Sequence, residues 1–252
     1  MKTIQFPNLL KISSVQHAVF TRHGGYSQGS FKSLNLSFGV GDDKVAVLKN
    51  RKLVSEYLKA GVLAFANQVH DKKILTIEDV PLTGQEPVFF NAGTGDALIT
   101  NIPGVFLIIQ TADCQAVMMV DPKKNVVANV HVGWQGNIQD IIGETIGEMT
   151  HRFGCNPADV KVGIGPSLGP CCAEFINYRT EIPEAFWCYK DDDNHIDLWA
   201  ISSHQLAAAG VMKENLFVSR VCTKCHADTF FSYRAQHATG RFTSAIALRR
   251  NS

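Results

Sequence analysis

The stretch VFLIIQTADCQAVMMVDPKKNVVANVHVGWQG (105–136) decides the fold. It holds three nearly continuous apolar runs, VFLIIQT (105–111), AVMMVD (116–121) and VVANVHV (126–132), which are separated by short polar turns. Apolar runs of this length without polar alternation are typical of strands that are covered on both faces. The stretch therefore predicts the interior of a sheet in a layered domain.

Similar apolar segments lie on both sides of this stretch. Further strands are predicted at HAVFTR (17–22), KILTIE (73–78), DALITN (96–101), KVGIGP (161–166) and TSAIALR (243–249). Apolar residues at helical spacing predict helices over 44–61, 138–154 and 197–210, which end at Gly61, Gly154 and Gly210. Because the middle of the chain has four strands in succession, we predict mixed or antiparallel pairing there. The fold class is α/β (α+β), with helices packed over central sheet.

Composition and charge exclude several classes of protein. A formal net charge of +1 over 252 residues argues against a broad nucleic-acid surface, but not against a few arginines around a small anion. The N-terminus lacks the apolar region and cleavage site of a signal peptide, and no run approaches the ~20 apolar residues of a membrane span. We therefore expect a cytoplasmic protein without a membrane or nucleic-acid partner. In that reducing compartment, seven cysteines predict thiols or ligands rather than a disulfide framework.

Three predicted strand ends carry residues that could do chemistry. His70 ends the short run in ANQVHD, Cys114 follows Asp113 in TADC, and His131 precedes the turn GWQG. Taken singly, each is also compatible with a buried structural role. Together, one thiolate and two imidazoles suit zinc with a fourth position open to water. The same trio suits a Cys–His nucleophile pair, and the spacing alone does not separate the two interpretations.

Copper is a weaker hypothesis for these residues. A blue-copper site also uses two histidines and a cysteine, so copper is chemically compatible with the trio. A multicopper oxidase, however, needs many more imidazoles, commonly as His-x-His pairs, and the chain has nine histidines and no such pair. The sequence therefore favours zinc and disfavours oxidase chemistry.

The segment CTKCH (222–226) has the Cys-x-x-Cys-His pattern of covalent haem attachment. Haem attachment usually requires export, for which the sequence gives no signal. A structural metal would need a second ligand pair, and GPCC (169–172) is the other close pair of thiols. A redox role would need an activated thiol at a helix start. The favoured interpretation is a set of partly buried thiols near the core, with a metal or redox role as the alternative.

Candidate anion-binding groups are scattered along the chain. The loop GIGPSLGPCC (163–172) could bring backbone N–H groups close to an anion, although a tight structural turn explains it equally well. Arg22, Arg234 and Arg241 each lie beside glycine or small polar residues and could clamp a phosphate or a carboxylate. The alternative role of each arginine is simple surface solubility.

Seven motifs in order resemble one known family over residues 17 to 248. They are TRHGGYSQGSFKSLNLSFGVGDD, NQVH, GDALIT, TADCQAVMMVD, NVHVGWQG, GPSLGPCC and the pattern CT…FFSYR…TGR. On these motifs the chain is identified as a member of the YfiH/PgeF family, also called the laccase-domain or polyphenol oxidase family. The resemblance implies a single four-layer α/β/β/α domain with mixed sheets over residues 1–252, similar to bacterial toxin-like cysteine hydrolases.

The resemblance also implies a site and an activity. His70, Cys114 and His131 would be the catalytic residues and zinc ligands. Family members act as purine nucleoside phosphorylases on adenosine or inosine and phosphate, cleave methylthioadenosine and deaminate adenosine. A bacterial branch removes wrongly incorporated L-serine from a UDP-MurNAc peptidoglycan precursor. The expected partners are therefore a small nucleoside and phosphate.

Within this interpretation we assign substrate or phosphate binding to Arg22, Asp113 and Arg241. The chain departs from the family pattern at Gln135, where an arginine is common, and at Gln115 and Ala173. Loss of the arginine places phosphate affinity or substrate choice in question. Two alternative functions stay open: a cysteine hydrolase with Cys114 as nucleophile and His131 as base, and a metal-binding protein without enzyme activity. The sequence makes no prediction of the oligomeric state.

Overall fold

Two six-stranded sheets form the centre of the protein in this computed structural model, which describes residues 1–81 and 86–250. The first sheet has, in spatial order, the strands β1 (Thr3–Ile4), β2 (Val15–Phe20), β12 (Phe242–Leu248), β7 (Val105–Thr111), β3 (Val62–Asn67) and β5 (Val88–Thr94). The second has β11 (Leu216–Val218), β10 (Lys161–Ile164), β8 (Gln115–Asp121), β9 (Val126–Val132), β6 (Ala97–Thr100) and β4 (Ile74–Ile77).

Both sheets are mixed, as the sequence predicts for the middle of the chain. In the first sheet β3 runs parallel to β5 and β7, whereas β7 is antiparallel to β12. In the second sheet β9 is antiparallel to both β8 and β6, and β4 is parallel to β6. The four successive strands β6 to β9 are thus divided between two sheets, with β7 alone in the first.

The apolar runs are explained by burial on both faces of each sheet. On β8, the side chains of Ala116, Met118 and Val120 belong to the core between the two sheets. Those of Val117 and Met119 belong to a second core on the outer face of the second sheet. A strand between two apolar layers has no polar face, so its sequence shows no alternation.

Helices cover the two outer faces. The helices are α1 (Pro7–Leu10), α2 (Lys44–Leu58), α3 (Trp134–Ile138), α4 (Ile141–Phe153), α5 (Tyr178–Glu181) and α6 (Leu198–Ala208), with 3₁₀ turns at Gly29–Phe31, Pro157–Asp159, Glu184–Tyr189 and Lys213–Asn215. Helix α2 packs on the first sheet, and α4 with the end of α6 packs on the second. The fold is therefore the predicted four-layer α/β/β/α arrangement.

The three long helices begin in the same way. Asp43, Asp140 and Asp197 each precede a helix and accept a hydrogen bond from a backbone N–H in its first turn, at 2.7, 3.0 and 2.9 Å. Such caps satisfy amides that have no partner within the helix and typically stabilise it by ~1 kcal/mol.

Among the described residues, no helix combines the length and the apolar character needed to cross a membrane.

Eight predicted strands and three predicted helices correspond to observed elements, but two details of the prediction were wrong. The first is the end of α2, which was expected at Gly61. The helix ends at Leu58 and reverses through Lys59 in the left-handed conformation, because β3 begins at Val62 and leaves room only for a tight turn. The second is the set of predicted strands, which omits β1, β3, β5 and β11. Strand β5 lies at the edge of its sheet and includes the exposed Asn91, so it lacks the apolar run that marks the inner strands.

The pairing places several strand ends at one edge of the molecule. Strands β3 and β7 are parallel neighbours, so their carboxyl ends at Asn67 and Thr111 lie on the same side of the first sheet. The turn after β7 leads into β8 of the second sheet, whose first residue, Gln115, pairs with Val132 at the end of β9. Segments that are distant in sequence therefore converge at this edge.

Candidate functional site

His70, Cys114 and His131 meet at this edge. His70 follows β3, Cys114 lies in the turn between β7 and β8, and His131 is on β9. The ligand atoms of the three side chains all lie within 4.8 Å of one another. The Cys114 Sγ lies 3.7 Å from the His70 Nε2, and the two imidazole rings meet edge to face with centroids 4.7 Å apart. The structure thus brings together the three residues selected from the sequence.

Asp96 holds both histidines in place. Its carboxylate is fully buried and accepts a hydrogen bond of 2.7 Å from the Nδ1 of His131. It also accepts bonds from the backbone N–H groups of Val69, His70 and Asp71, the latter two at 2.9 and 3.0 Å. One side chain therefore fixes the ring orientation of His131 and the loop that carries His70. It also leaves the Nε2 of His131 to face the cluster.

Asp96 was not selected from the sequence, although a signal was present. The motif GDALIT places an acidic residue at the start of an apolar strand, directly before Ala97. A carboxylate at the edge of a buried strand needs several partners, because an unpaired buried charge is very costly. The sequence does not show that those partners are the backbone of 69–71 and a histidine on another strand.

The charges of Cys114 and His131 stabilise each other. Burial by itself raises the pKa of the Cys114 thiol, but the charge and hydrogen bonding of His131 and His70 reverse this effect and lower the pKa well below its ordinary value. Burial likewise lowers the pKa of His131, but the Cys114 thiolate and Asp96 raise it overall. These opposite shifts of the two pKa values favour a thiolate at Cys114 and an imidazolium at His131 when no metal is bound. A thiolate is the form that binds a metal or attacks an electrophile.

Gly133 is required by space at this site. A Cβ atom at this position would lie 2.7 Å from the His70 Cδ2 and 3.3 Å from the Cys114 Sγ. The backbone φ of Gly133 is −78°, which any residue can adopt, so the restriction is the closeness of the two side chains. The glycine allows the start of α3 to approach the cluster.

We expect Gly133→Ala to displace His70 and to lower both metal affinity and turnover at least about tenfold, comparable to the loss of a group that orients a metal ligand. The measurement is metal affinity by competition with a chelator. The matched control is Gly147→Ala in α4, where a Cβ meets nothing within 4 Å and alanine stabilises the helix by ~0.5–1 kcal/mol. Unchanged metal affinity in a folded Gly133→Ala protein would contradict this account of the site.

The cluster opens into a cavity of about 750 Å³. This volume lies within the range of small-molecule sites. Its walls combine aromatic rings with amides and arginines from both ends of the chain. The lining includes Arg51, Phe65, Gln68, Phe90, Asn91, Gln110, Trp134, Phe175, Tyr233, Arg234 and Arg241. The site can therefore enclose an organic molecule and bring an anion close to the cluster.

The predicted arginines differ in position. Arg241 lines the cavity, and its Nη1 donates to the carbonyl oxygens of Thr239 and Gly240, both at 3.0 Å. Burial lowers its pKa, whereas the negative charges of Cys114 and Asp113 act against this effect. Its place in the cavity lining is compatible with the predicted role in anion binding.

Arg22 does not belong to the described lining of the cavity. Its guanidinium donates to the carbonyl oxygens of Lys32 and Ala227, at 2.9 and 2.7 Å, and lies 4.5 Å from the centre of the Phe231 ring. These contacts tie two loops together. The geometry therefore favours Arg241 over Arg22 as a ligand for phosphate.

Arg51 was missed by sequence reasoning. It is buried on α2, and its guanidinium carbon lies 3.8 Å from the centre of the Phe65 ring and 4.3 Å from that of Phe38. Burial lowers its pKa to about 10, so it remains charged at neutral pH. In the sequence it stands in an ordinary charged helix, KNRK (49–52), which gives no indication that one member turns inward.

Asp113 organises a loop beside the cluster. Its carboxylate accepts hydrogen bonds of 2.6 Å from the Thr223 hydroxyl and 2.6 Å from the backbone N–H of Arg234. Its carbonyl oxygen accepts from the N–H of Leu168 at 2.7 Å. Both carboxylate oxygens thus have protein partners, which favours an orienting role for Asp113 over the predicted contact with substrate or phosphate.

The three departures from the family pattern lie in different environments. Gln135 is exposed on α3 and lies outside the described cavity lining. The positive charge that an arginine would bring to this position is absent. Gln115 is buried and donates to the carbonyl oxygen of Leu198 at 3.0 Å. Ala173 is fully buried, where a tyrosine would need additional space.

Comparisons with known proteins give matches over nearly the whole chain. A family model described as multi-copper polyphenol oxidoreductase laccase matches residues 16–249. A curated relative from Bacteroides thetaiotaomicron named purine nucleoside phosphorylase is 33% identical over 98% of this chain and 96% of its own length. A relative from an unknown prokaryotic organism named adenosine deaminase RL5 is 28% identical over 88% of this chain and 89% of its own length.

A solved structure supports the fold. The crystal structure of YlmD from Geobacillus stearothermophilus superposes with a TM-score of 0.86 at 30% sequence identity, over 97% of this chain and 94% of that chain. The names of the relatives support an enzyme. With a family match over nearly its whole length, the chain belongs to the family described as multi-copper polyphenol oxidoreductase laccase, which is the YfiH/PgeF family that its motifs resemble.

Proposed function

We propose that this protein is a purine nucleoside phosphorylase that converts adenosine or inosine and phosphate to the free base and ribose 1-phosphate. The observation that carries the proposal is the single cavity that joins the His70–Cys114–His131 cluster to the cation Arg241. The names of full-length relatives support the same reaction. By the same resemblance, we include cleavage of methylthioadenosine and deamination of adenosine.

Zinc fits the cluster. One thiolate and two imidazoles are a common zinc donor set, and the hydrogen bond that the Nδ1–H of His131 donates to Asp96 is the arrangement that metal-bound histidines usually have. His70, Cys114 and His131 would hold the ion, which would supply Lewis-acid character and a water of lowered pKa for deamination. The two imidazoles are too few for a multicopper centre, and we propose zinc as the ion because this donor set with one position open to water is typical of zinc enzymes.

The residues of the cavity explain how a nucleoside would be held. The rings of Phe65, Phe90, Trp134 and Phe175 offer apolar faces to a purine, and the exposed amide of Asn91 can bond its polar edge, whereas the amide of Gln68 is paired with the backbone of Gln110. In phosphorolysis a phosphate oxygen bonds to the ribose C1′ while the C1′–N9 bond breaks and its electron pair goes to the base. The phosphate needs a cation, and the leaving base needs a proton or a positive charge.

Arg241 is the group we assign to the phosphate. We expect Arg241→Ala to raise the KM for phosphate by about tenfold to a hundredfold, because a hydrogen bond to a charged group contributes ~1.5–3 kcal/mol. The KM for nucleoside should change less. Steady-state kinetics at varied phosphate, with Arg152→Ala on the exposed face of α4 as control, measures both constants.

Arg22→Ala in the same assay separates the two arginines selected from the sequence. If the KM for phosphate rises in Arg22→Ala but not in Arg241→Ala, phosphate is bound by Arg22 and the assignment to Arg241 is wrong.

The proposed reaction is tested by release of base from inosine and adenosine by purified, zinc-loaded protein with and without phosphate. Hypoxanthine and ribose 1-phosphate formed only with phosphate are the expected products. Absence of base release from folded, metal-loaded protein would overturn the phosphorylase assignment.

A cysteine hydrolase is the second candidate. The Cys114 thiol has a lowered pKa and lies beside His131, which in turn bonds to Asp96. This is the order of a nucleophile, a base and an orienting carboxylate. Such an enzyme would cleave an amide, with a UDP-MurNAc-L-Ser precursor as the substrate that the family resemblance suggests. A covalent adduct on Cys114, found by mass spectrometry after mixing with this precursor, would favour the hydrolase.

A metal-binding protein without enzyme activity is the third candidate, and it would be favoured by absence of turnover with both nucleosides and amides. In all three cases we treat residues 1–252 as one domain that acts on small molecules in the cytoplasm. The core shared by both sheets and the full-length match to relatives support the single domain.

A further inference from the structure

We propose that Cys171, Cys172, Cys222 and Cys225 form a second metal site that binds one structural zinc ion through four thiolates. The sulfur atoms all lie within 4.8 Å of one another. The Cys225 Sγ lies 3.6 Å from the Sγ of both Cys171 and Cys172. Four sulfurs in a tetrahedron around zinc, at ~2.3 Å each, lie about 3.8 Å apart, so the thiols are close to the required spacing.

The spacing distinguishes one metal ion from other arrangements of four cysteines. All four are free thiols. In an iron–sulfur cluster each thiolate binds a different iron or shares one with a single neighbour, which spreads the four sulfurs over a larger distance. A set of four sulfurs around one point, in contrast, is typical of zinc.

The four cysteines lie on two turns that are closed by backbone hydrogen bonds and do not need a metal to form. The first closes with a bond of 2.9 Å from the Cys172 N–H to the Gly169 carbonyl oxygen, and the second with a bond of 3.1 Å from the His226 N–H to the Cys222 carbonyl oxygen. Backbone bonds between Ser167 and the 221–223 segment hold the turns side by side. The protein thus places two thiols from each turn at one point.

The two turns approach each other closely at Cys222, which is buried. A Cβ at Gly169 would lie 2.7 Å from the Trp199 ring and 3.1 Å from the Cys222 Cβ, so glycine allows the turns to approach. Cys171 and Cys225 are exposed, which gives an ion a path of entry.

This site would fasten one wall of the cavity without sharing a ligand with the His70–Cys114–His131 cluster. The first turn leads to Leu168 and Phe175, and the second leads to Tyr233 and Arg234, all of which line the cavity. Thr223, between the two cysteines of its turn, bonds to Asp113 at 2.6 Å. A metal that joins the turns therefore limits the movement of the loop that precedes Cys114.

The experiment is metal analysis of purified protein combined with zinc X-ray absorption, and it does not depend on turnover of any substrate. We expect two zinc ions in the wild-type chain and one in Cys114→Ala, whose remaining ion should show four sulfur neighbours at ~2.3 Å. Cys225→Ser should retain one ion, with nitrogen and sulfur neighbours. Cys188→Ser, which changes an exposed cysteine outside both groups, should retain two.

Two results would overturn the proposal: a Cys114→Ala protein that binds no zinc, and iron or no metal in place of zinc at the four thiols. If Cys225→Ser fails to fold, alkylation of the wild-type protein decides instead. Bound zinc should protect all four thiols from alkylation until a chelator is added, as read by mass spectrometry of the peptides. Equal alkylation with and without chelator contradicts the site.

Discussion

Cys114→Ala and His131→Ala are each expected to lower phosphate-dependent base release by about 10²–10⁴-fold, the range in which enzymes lose rate when a proton-transferring or charge-stabilising group is removed. Cys114 supplies the negative charge of the cluster, and its thiolate and the imidazolium of His131 stabilise each other. Removal of either partner therefore changes the charge of the other as well as the zinc site. The measurement is kcat/KM for inosine at saturating phosphate.

The control for this pair is Cys188→Ala, which removes an exposed thiol outside both cysteine groups and should leave base release unchanged. Circular dichroism and thermal unfolding should show that the variants are folded. Full phosphorolysis by folded Cys114→Ala and His131→Ala proteins would show that the site is elsewhere. Loss of deamination alone, with phosphorolysis retained, would limit the role of the cluster to deamination.

The sequence predicted the centre of the fold because the inner strands have no polar face. Strands β7, β8 and β9 lie between two apolar layers, and their sequences are correspondingly continuous in apolar residues. Strand β5 was not predicted, since this edge strand is only half-buried and includes Asn91 and Gly93. The inner strand β3 was also missed, because its buried apolar run covers only residues 62–65. Burial on both faces over a full seven-residue strand leaves a clear sequence pattern.

The site was predicted in part for a related reason. His70, Cys114 and His131 are reactive residue types at the ends of apolar runs, so their positions in the sequence single them out. Asp96 and Arg51 have common charged side chains, and only their tertiary contacts distinguish them from surface residues. The lack of space for a side chain at Gly133 likewise results from His70 and Cys114, which lie in two other segments of the chain.

The four cysteines of CTKCH and GPCC are interpreted differently once their positions in space are known. Read separately, CTKCH and GPCC favour partly buried thiols near the core. In the structure Cys222 is buried, but Cys171 and Cys225 are exposed, and the two pairs face each other. A Cys-x-x-Cys motif needs a second pair to make a metal site, and no feature of the sequence shows that the pairs meet.

Asp96→Asn is expected to weaken zinc binding by about ten- to a hundredfold, as is usual when the partner of a metal-bound histidine is lost. The carboxylate accepts from the Nδ1 of His131 and from the backbone N–H groups of Val69, His70 and Asp71. An amide has one oxygen, so in either orientation its NH₂ group faces a donor. The unpaired donors cost ~1–3 kcal/mol of stability.

The readouts are zinc affinity by chelator competition and the free energy of unfolding. The matched control is Asp121→Asn, because Asp121 is also buried and accepts backbone bonds, from Lys123 and Lys124 at 2.8 and 3.0 Å, but lies at the opposite end of β8 from Cys114. Asp96→Asn should lose both stability and zinc affinity, whereas Asp121→Asn, whose single remaining oxygen can accept both backbone bonds, should keep both. Equal zinc affinity in the two variants would mean that Asp96 supports the fold alone. A loss of zinc affinity in Asp96→Asn alone would show that Asp96 orients His131 and His70. Asp121 also accepts backbone hydrogen bonds but has no bond to either histidine.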